Sequence, residues 1–212
     1  MSIGGWLFAA VYDRLTAGPE AAGLSKRREA LLTAAAGRVL EIGAGTGANL
    51  AFYPDAVQTL TLAEPERPMA KRLARRVAGQ ARAADIVEAP AEQLPFPDAS
   101  FDTVVVTLVL CTVSDPARAL AEIRRVLAPG GRLLFLEHVR SDDSRIARWQ
   151  DRLNGLNQII AHGCNCNRAT VDAMRAAGFT IVELTRAEFP KAPPFVRPLV
   201  LGVASATSIA PH

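Results

Sequence analysis

Cysteine is scarce in this chain: three among 212 residues, Cys111, Cys164 and Cys166. An odd number that small supplies no disulfide framework, so a reducing, cytoplasmic setting is expected. Long apolar runs are missing too, and nothing approaches the roughly 20 residues that a bilayer-crossing helix takes. The apolar stretch 3–11 has neither the basic start nor the small-residue cleavage site of a leader peptide. We read it as an amphipathic lid or packing segment, with peripheral membrane contact through Trp6, Leu7 and Phe8 as the alternative. Charge of one sign is not concentrated: 24 basic against 21 acidic residues leave a formal +3, and the arginines are spread out. Even 69–78, with Lys71, Arg72, Arg75 and Arg76, reads as the solvated face of a helix, so no nucleic-acid partner is expected. Repeats and low-complexity tracts are absent, which leaves a single globular unit.

What the chain does have is apolar residues, at 50% of the sequence. That suffices for one domain with a substantial core, expected over 1–212. Within it, 1–30 would form an N-terminal lid and 141–178 a helical insertion on the substrate side.

The most informative stretch is Val39-Leu40-Glu41-Ile42-Gly43-Ala44-Gly45-Thr46-Gly47. A short apolar strand carries one acid near its end and runs into three alternating glycines. Without a Cβ, glycine lets the backbone turn sharply and a ligand press against it. At the end of a first parallel strand, such a turn holds adenosine-containing cofactors. Gly43, Gly45 and Ala48 also satisfy the looser dinucleotide pattern. Glu41 favours a cationic, hydroxyl-bearing ligand over an anionic pyrophosphate. A nicotinamide-dependent oxidoreductase is further disfavoured by the lack of a Tyr-x-x-x-Lys pair.

Along the chain, strand signals at 38–42, 59–63, 84–88, 102–108 and 132–137 alternate with helical periods at 24–36, 68–77 and 116–127. This alternation predicts a parallel sheet covered on both faces. Helices follow at 141–160 and 168–177, the latter stopped by Gly178. Two final strands, 179–184 and 195–203, are joined too briefly for a crossover helix and should pair antiparallel. The expectation is an α/β, doubly wound, Rossmann-like sheet of seven strands, mostly parallel with one antiparallel C-terminal strand.

Candidate ligand groups fall at successive strand ends. Glu64 follows the second strand 23 residues after Glu41, where an acid can accept from both hydroxyls of a ribose. The turn at Ala91 and Glu92 follows the third strand and suits an adenine edge. Thr107 to Cys111 follow the fourth, and His138 ends the fifth, where an imidazole can serve as a base at neutral pH. His162-Gly163-Cys164-Asn165-Cys166 packs three metal-ligand types into five residues. It has no second paired cluster, so zinc spacing is not met and no metal is expected.

Together Glu41-x-Gly43-x-Gly45-x-Gly47, Glu64, Leu94-Pro95-Phe96-x-Asp98-x-x-Phe101-Asp102 and Leu127-x-Pro129-Gly130-Gly131 resemble class I S-adenosylmethionine-dependent methyltransferases of the ubiquinone/menaquinone type. Leu110-Cys111-Thr112-Val113, Leu136-Glu137-His138-Val139, Gly163-Cys164-Asn165 with Arg168, and Val196-Arg197-Pro198 are similar to the alkyl thiol S-methyltransferases, with bacterial phosphatidylethanolamine N-methyltransferases more distant. The long N-terminal membrane-associating segment of the thiol enzymes has no counterpart here. The resemblance implies S-adenosyl-L-methionine as cofactor and S-adenosyl-L-homocysteine as product. Tyr12, Glu41, Gly43, Ala44, Gly45, Gly47, Asn49, Glu64, Pro65, Ala91, Glu92, Thr107 and Leu108 would then bind the cofactor. Cys111, His138 and Cys164 would face the acceptor, with His138 as the catalytic group. The implied partner is a small, fairly apolar acceptor, best matched by a thiol. An amine of an aminophospholipid, or a hydroxyl or carbon nucleophile of a secondary metabolite or quinone, is the alternative, and a non-catalytic cofactor binder a further one.

Overall fold

A computed structural model describes residues 13–206 apart from 15. Seven strands form one sheet: β1 (Gly37–Ile42), β2 (Val57–Ala63), β3 (Asp85–Val87), β4 (Phe101–Thr107), β5 (Leu127–His138), β6 (Phe179–Glu188) and β7 (Pro198–Ala206). Their order is β3-β2-β1-β4-β5-β7-β6. The first five pair in parallel, and β7 runs antiparallel to both β5 and β6. The expected fold class is what is observed. The last two strands are more than an added hairpin, because β7 is slotted between β5 and β6.

Alternation along the strands divides the core. Leu40, Ile42, Val104, Val106, Leu133 and Phe135 point to one side, against Leu120 and Ile123 of α3 (Pro116–Val126) and Met174 of α5 (Thr170–Ala176). Val39, Leu60, Leu62, Val105, Leu134 and Leu136 point to the other, against Leu31 and Leu32 of α1 (Ser25–Leu32) and Leu73 of α2 (Arg67–Ala78). Both faces being covered, β4 can be continuously apolar.

Most boundaries move by a residue or two, and the larger differences have causes. β5 begins at Leu127 because Leu127 pairs with Phe101 before the ladder resumes at Thr103 and Arg132. The residues between, including Gly130 at φ 78°, are looped out of register. α4 (Ser144–Ile160) starts three residues later than the pattern suggests, because the Asp143 side chain accepts from Arg145 N–H and caps it there. β6 runs on to Glu188, since β7 offers it a full antiparallel edge. Among the described residues, no helix is long and apolar enough to cross a membrane.

Candidate active site

The parallel strands deliver their carboxyl ends to one edge of the sheet, and the glycine turn lies there. Gly43 and Ala44 N–H both donate to Ala63 O of β2, and Gly47 N–H closes back on Ala44 O. All three glycines have positive φ, for different reasons. A Cβ on Gly43 would lie 2.6 Å from Val109 Cγ2, and one on Gly47 2.6 Å from Leu50 Cδ1. These two are packing glycines. A Cβ on Gly45 would meet nothing within 4 Å among the described residues, so Gly45 is not held by packing of that kind.

Two buried acids stand behind this turn. Glu64 ends β2, and its carboxylate accepts from Gly45 N–H at 2.7 Å and Glu66 N–H at 2.9 Å. Burial raises its pKa, and the two amides partly counter that. Glu41 is 2% exposed and accepts from Asn49 Nδ2 at 2.9 Å and Tyr53 OH at 2.6 Å. Burial pushes its pKa up to about 7 against these hydrogen bonds. Both Glu41 oxygens are thus engaged inside the protein. These bonds tie the acid to Asn49, at the end of the glycine turn, and to Tyr53.

Sequence reasoning missed Arg28, on α1. Its guanidinium is buried and donates to Glu20 Oε1, Asn49 Oδ1 and Thr107 Oγ1, at 3.0, 3.0 and 2.8 Å. It ties Asn49, at the end of the glycine turn, to the end of β4 and places a cation near the buried Glu41. Its helical segment carries no local sign of this, because the partners are far along the chain.

The end of β4 meets the end of β5 through Glu137. This wholly buried carboxylate accepts from the N–H groups of Val109, Leu110 and Cys111, at 2.9, 3.0 and 3.1 Å. Burial raises its pKa, and the three amides oppose that rise. Leu108, at φ 63°, makes the turn that aims those amides inward. Cys111 Sγ then lies 3.9 Å from His138 Nδ1, and Cys164 Sγ 3.5 Å from the same nitrogen. All three residues are buried. A hydrogen bond with Cys164, together with burial, holds the Cys111 thiol well above its ordinary pKa. His138 Nε2 is buried without a partner among the described residues, and the ring lies 4.9 Å from that of Phe189. The expected acceptor-side trio, Cys111, His138 and Cys164, is therefore one cluster. The local spacing 162–166 pointed elsewhere, because the thiol that joins Cys164 comes from the end of β4.

Residues 40–135 match the model of a methyltransferase domain family. The human thiol S-methyltransferase TMT1B is 37% identical over 191 residues, covering 85% of this chain and 78% of its own. A phosphatidylethanolamine N-methyltransferase of Cereibacter sphaeroides is 32% identical over 140 residues, covering 65% of this chain and 68% of its own. The chain belongs to the class I S-adenosylmethionine-dependent methyltransferases. A solved methyltransferase from Thermotoga maritima shares the fold, with a TM-score of 0.70 at 24% identity over 95% of this chain and 97% of that one.

The residues of this methyltransferase fit the cofactor its family uses. A glycine with no described atom in front of it, a buried acid at the end of β2 and a buried guanidinium nearby suit the hydroxyls and zwitterionic tail of S-adenosylmethionine. Glu92 Oε1 accepts from Ser114 and Asp115 N–H at 2.9 and 3.3 Å, bracing the start of α3. Pro65 is exposed at the start of the α2 approach, and Asn49 and Thr107 are buried partners of Arg28. Tyr12 lies outside the described residues, as does the stretch 3–11. Asp13, next to Tyr12, accepts from Thr46 Oγ1 of the glycine turn at 2.6 Å.

Proposed function

We propose that this methyltransferase methylates the sulfur of a small, fairly apolar thiol. The observation that carries the proposal is the buried Cys111–His138–Cys164 cluster at the ends of β4 and β5, beside the glycine turn. Two thiols and an imidazole there offer soft, polarisable contacts that suit the sulfur of a thiol acceptor. The human relatives, both thiol S-methyltransferases, support the same reading.

S-adenosylmethionine supplies a methyl group already bonded to a good leaving group, so the protein has mainly to position the acceptor and exclude water. In our reading Gly45 and its neighbours Gly43, Ala44 and Gly47 receive the methionine end. Glu64 with Pro65 takes the ribose, the Ala91–Glu92 turn the adenine, and Thr107 and Leu108 line the floor. Arg28 is suited to the cofactor's carboxylate. Tyr12 would close over the cofactor, anchored through the contact of Asp13 with Thr46. His138 deprotonates or orients the acceptor, since the thiolate is the reactive form.

The test compares an alkyl thiol with the amine and alcohol of the same carbon skeleton, with S-adenosylhomocysteine release as the readout. The thiol should turn over and the other two should not. His138→Ala should lower turnover at saturating cofactor by about 10²-fold or more, the scale of a positioned proton-transfer group. Near wild-type turnover in that variant would remove His138 from the chemistry.

A further inference from the structure

We propose that Cys111, His138 and Cys164 form a binding site for a zinc-class divalent metal ion. Only what fills the ion's fourth position rests on the thiol reading above. The donor atoms, two Sγ and Nδ1, all lie within 4.8 Å of one another. With Zn–S near 2.3 Å and Zn–N near 2.0–2.1 Å, a tetrahedral site separates sulfur from nitrogen by about 3.6 Å. The two sulfur–nitrogen distances here are 3.5 and 3.9 Å, on either side of that value. The ligand atoms already mark out the edges of a coordination polyhedron.

The supports are built to match. Glu137 holds the Val109–Cys111 turn by three amides. Asn165 donates to Cys111 O through its backbone N–H at 2.7 Å and its side chain at 3.2 Å. Asn157 Nδ2 donates to Cys164 O at 2.8 Å. Both sulfur-bearing backbones are thus fixed by buried polar groups, as metal ligands commonly are. Two thiolates balance a dication, so the loaded site carries no net charge into the core.

Among the described residues, no other histidine, cysteine or acid joins the group. Three protein ligands with an open fourth position are the pattern of a catalytic rather than a structural ion. With the ion bound, His138 orients the acceptor as a ligand of that ion rather than taking its proton: the acceptor fills the open position as its thiolate, and its proton leaves to solvent. A carbon–sulfur bond to the methyl then forms as the sulfonium–methyl bond breaks. Metal loading likewise releases the two cysteine protons, and no oxidation or reduction occurs.

Zinc content is measured on the full chain purified under reductant without chelator, followed by cobalt(II) titration of chelator-stripped protein. The expected result is one equivalent of cobalt with a sulfur-to-cobalt charge-transfer band and tetrahedral d–d bands. Cys111→Ser and Cys164→Ser, checked for folding by circular dichroism, should bind about a hundredfold more weakly or worse, at or beyond the upper end of what losing a mere support of a ligand costs. Cys166→Ser should bind as wild type. Wild-type protein with no charge-transfer band, or with a Cys111–Cys164 disulfide in its place, overturns the site whatever the variants do. Added alkyl thiol should shift the d–d bands. A cobalt site that ignores the thiol, in a protein that also leaves thiols unmethylated, overturns the acceptor reading and the open position but keeps the ion. Thiol methylation by protein that binds no cobalt does the reverse.

Discussion

At the residue scale, Glu41 shows how burial is turned to use. Its carboxyl is pushed up to about 7 from 4.5, so between those values the folded chain holds a proton that the unfolded chain has lost. Stability therefore falls as pH rises through this window, by up to about 3 kcal/mol once both states are ionised. Glu41→Gln carries no charge to bury. Its melting temperature should gain on wild type as pH is raised from 4.5 to 8, while its affinity for the cationic cofactor falls. Equal pH dependence in the two proteins would show that Glu41 is not the buried acid described. The glycines permit a sharper contrast. Gly45→Ala meets no atom of the described residues and should cost stability only about 1–2 kcal/mol of left-handed strain, while sharply weakening cofactor binding. Gly43→Ala adds a clash with Val109, so its loss should be nearer 2–4 kcal/mol, read by denaturant unfolding.

At the scale of elements, two junctions hold the site. Gly202 of β7 sits where a Cβ would come 2.0 Å from Glu183 O and 3.0 Å from Phe135 Cζ. Gly202→Ala should push β7 off β6 and β5 and destabilise the chain by about 3 kcal/mol or more, beyond ordinary overpacking because backbone must move. Glu137 is the other junction. Glu137→Gln keeps one acceptor oxygen for three buried amides, and an unpaired amide costs about 1–3 kcal/mol. Cys111 in that variant should also react faster with a thiol reagent than in wild type, with unfolding followed in parallel.

These junctions explain what was legible in the sequence. The glycine turn, Glu64 and the strand–helix alternation could be read because each depends on residues close along the chain. The bonds of Arg28 to Thr107 and of Glu137 to Val109 span 79 and 28 residues, so nothing near either residue announces them. The bond of Ser114 N–H to Glu92, 22 residues apart, is hidden in the same way. The thiol–imidazole cluster was visible only in parts. His162, Cys164 and Cys166 suggested a local set that fails on spacing, whereas the set that forms draws one residue from each of three segments.

For the whole molecule, ligand binding should register as stability. S-adenosylhomocysteine at a hundred times its Kd should stabilise the chain by about 2.7 kcal/mol. For a domain of this size that is a rise in Tm of about 5–10 °C, while NAD should leave Tm unchanged. An equal rise with NAD would contradict the assignment of the glycine turn. The acid-backed turn and the cysteine–histidine cluster lie at the carboxyl ends of the parallel strands, where the proposed reaction would join a methyl donor to a thiol. The most direct test follows the methyl itself: methyl-labelled S-adenosylmethionine is incubated with the protein and an equimolar mixture of an alkyl thiol, its amine and its alcohol, and the products are resolved by mass. The account predicts label on sulfur alone, with matching S-adenosylhomocysteine. Label on nitrogen or oxygen, with the thiol left unmethylated, would contradict it.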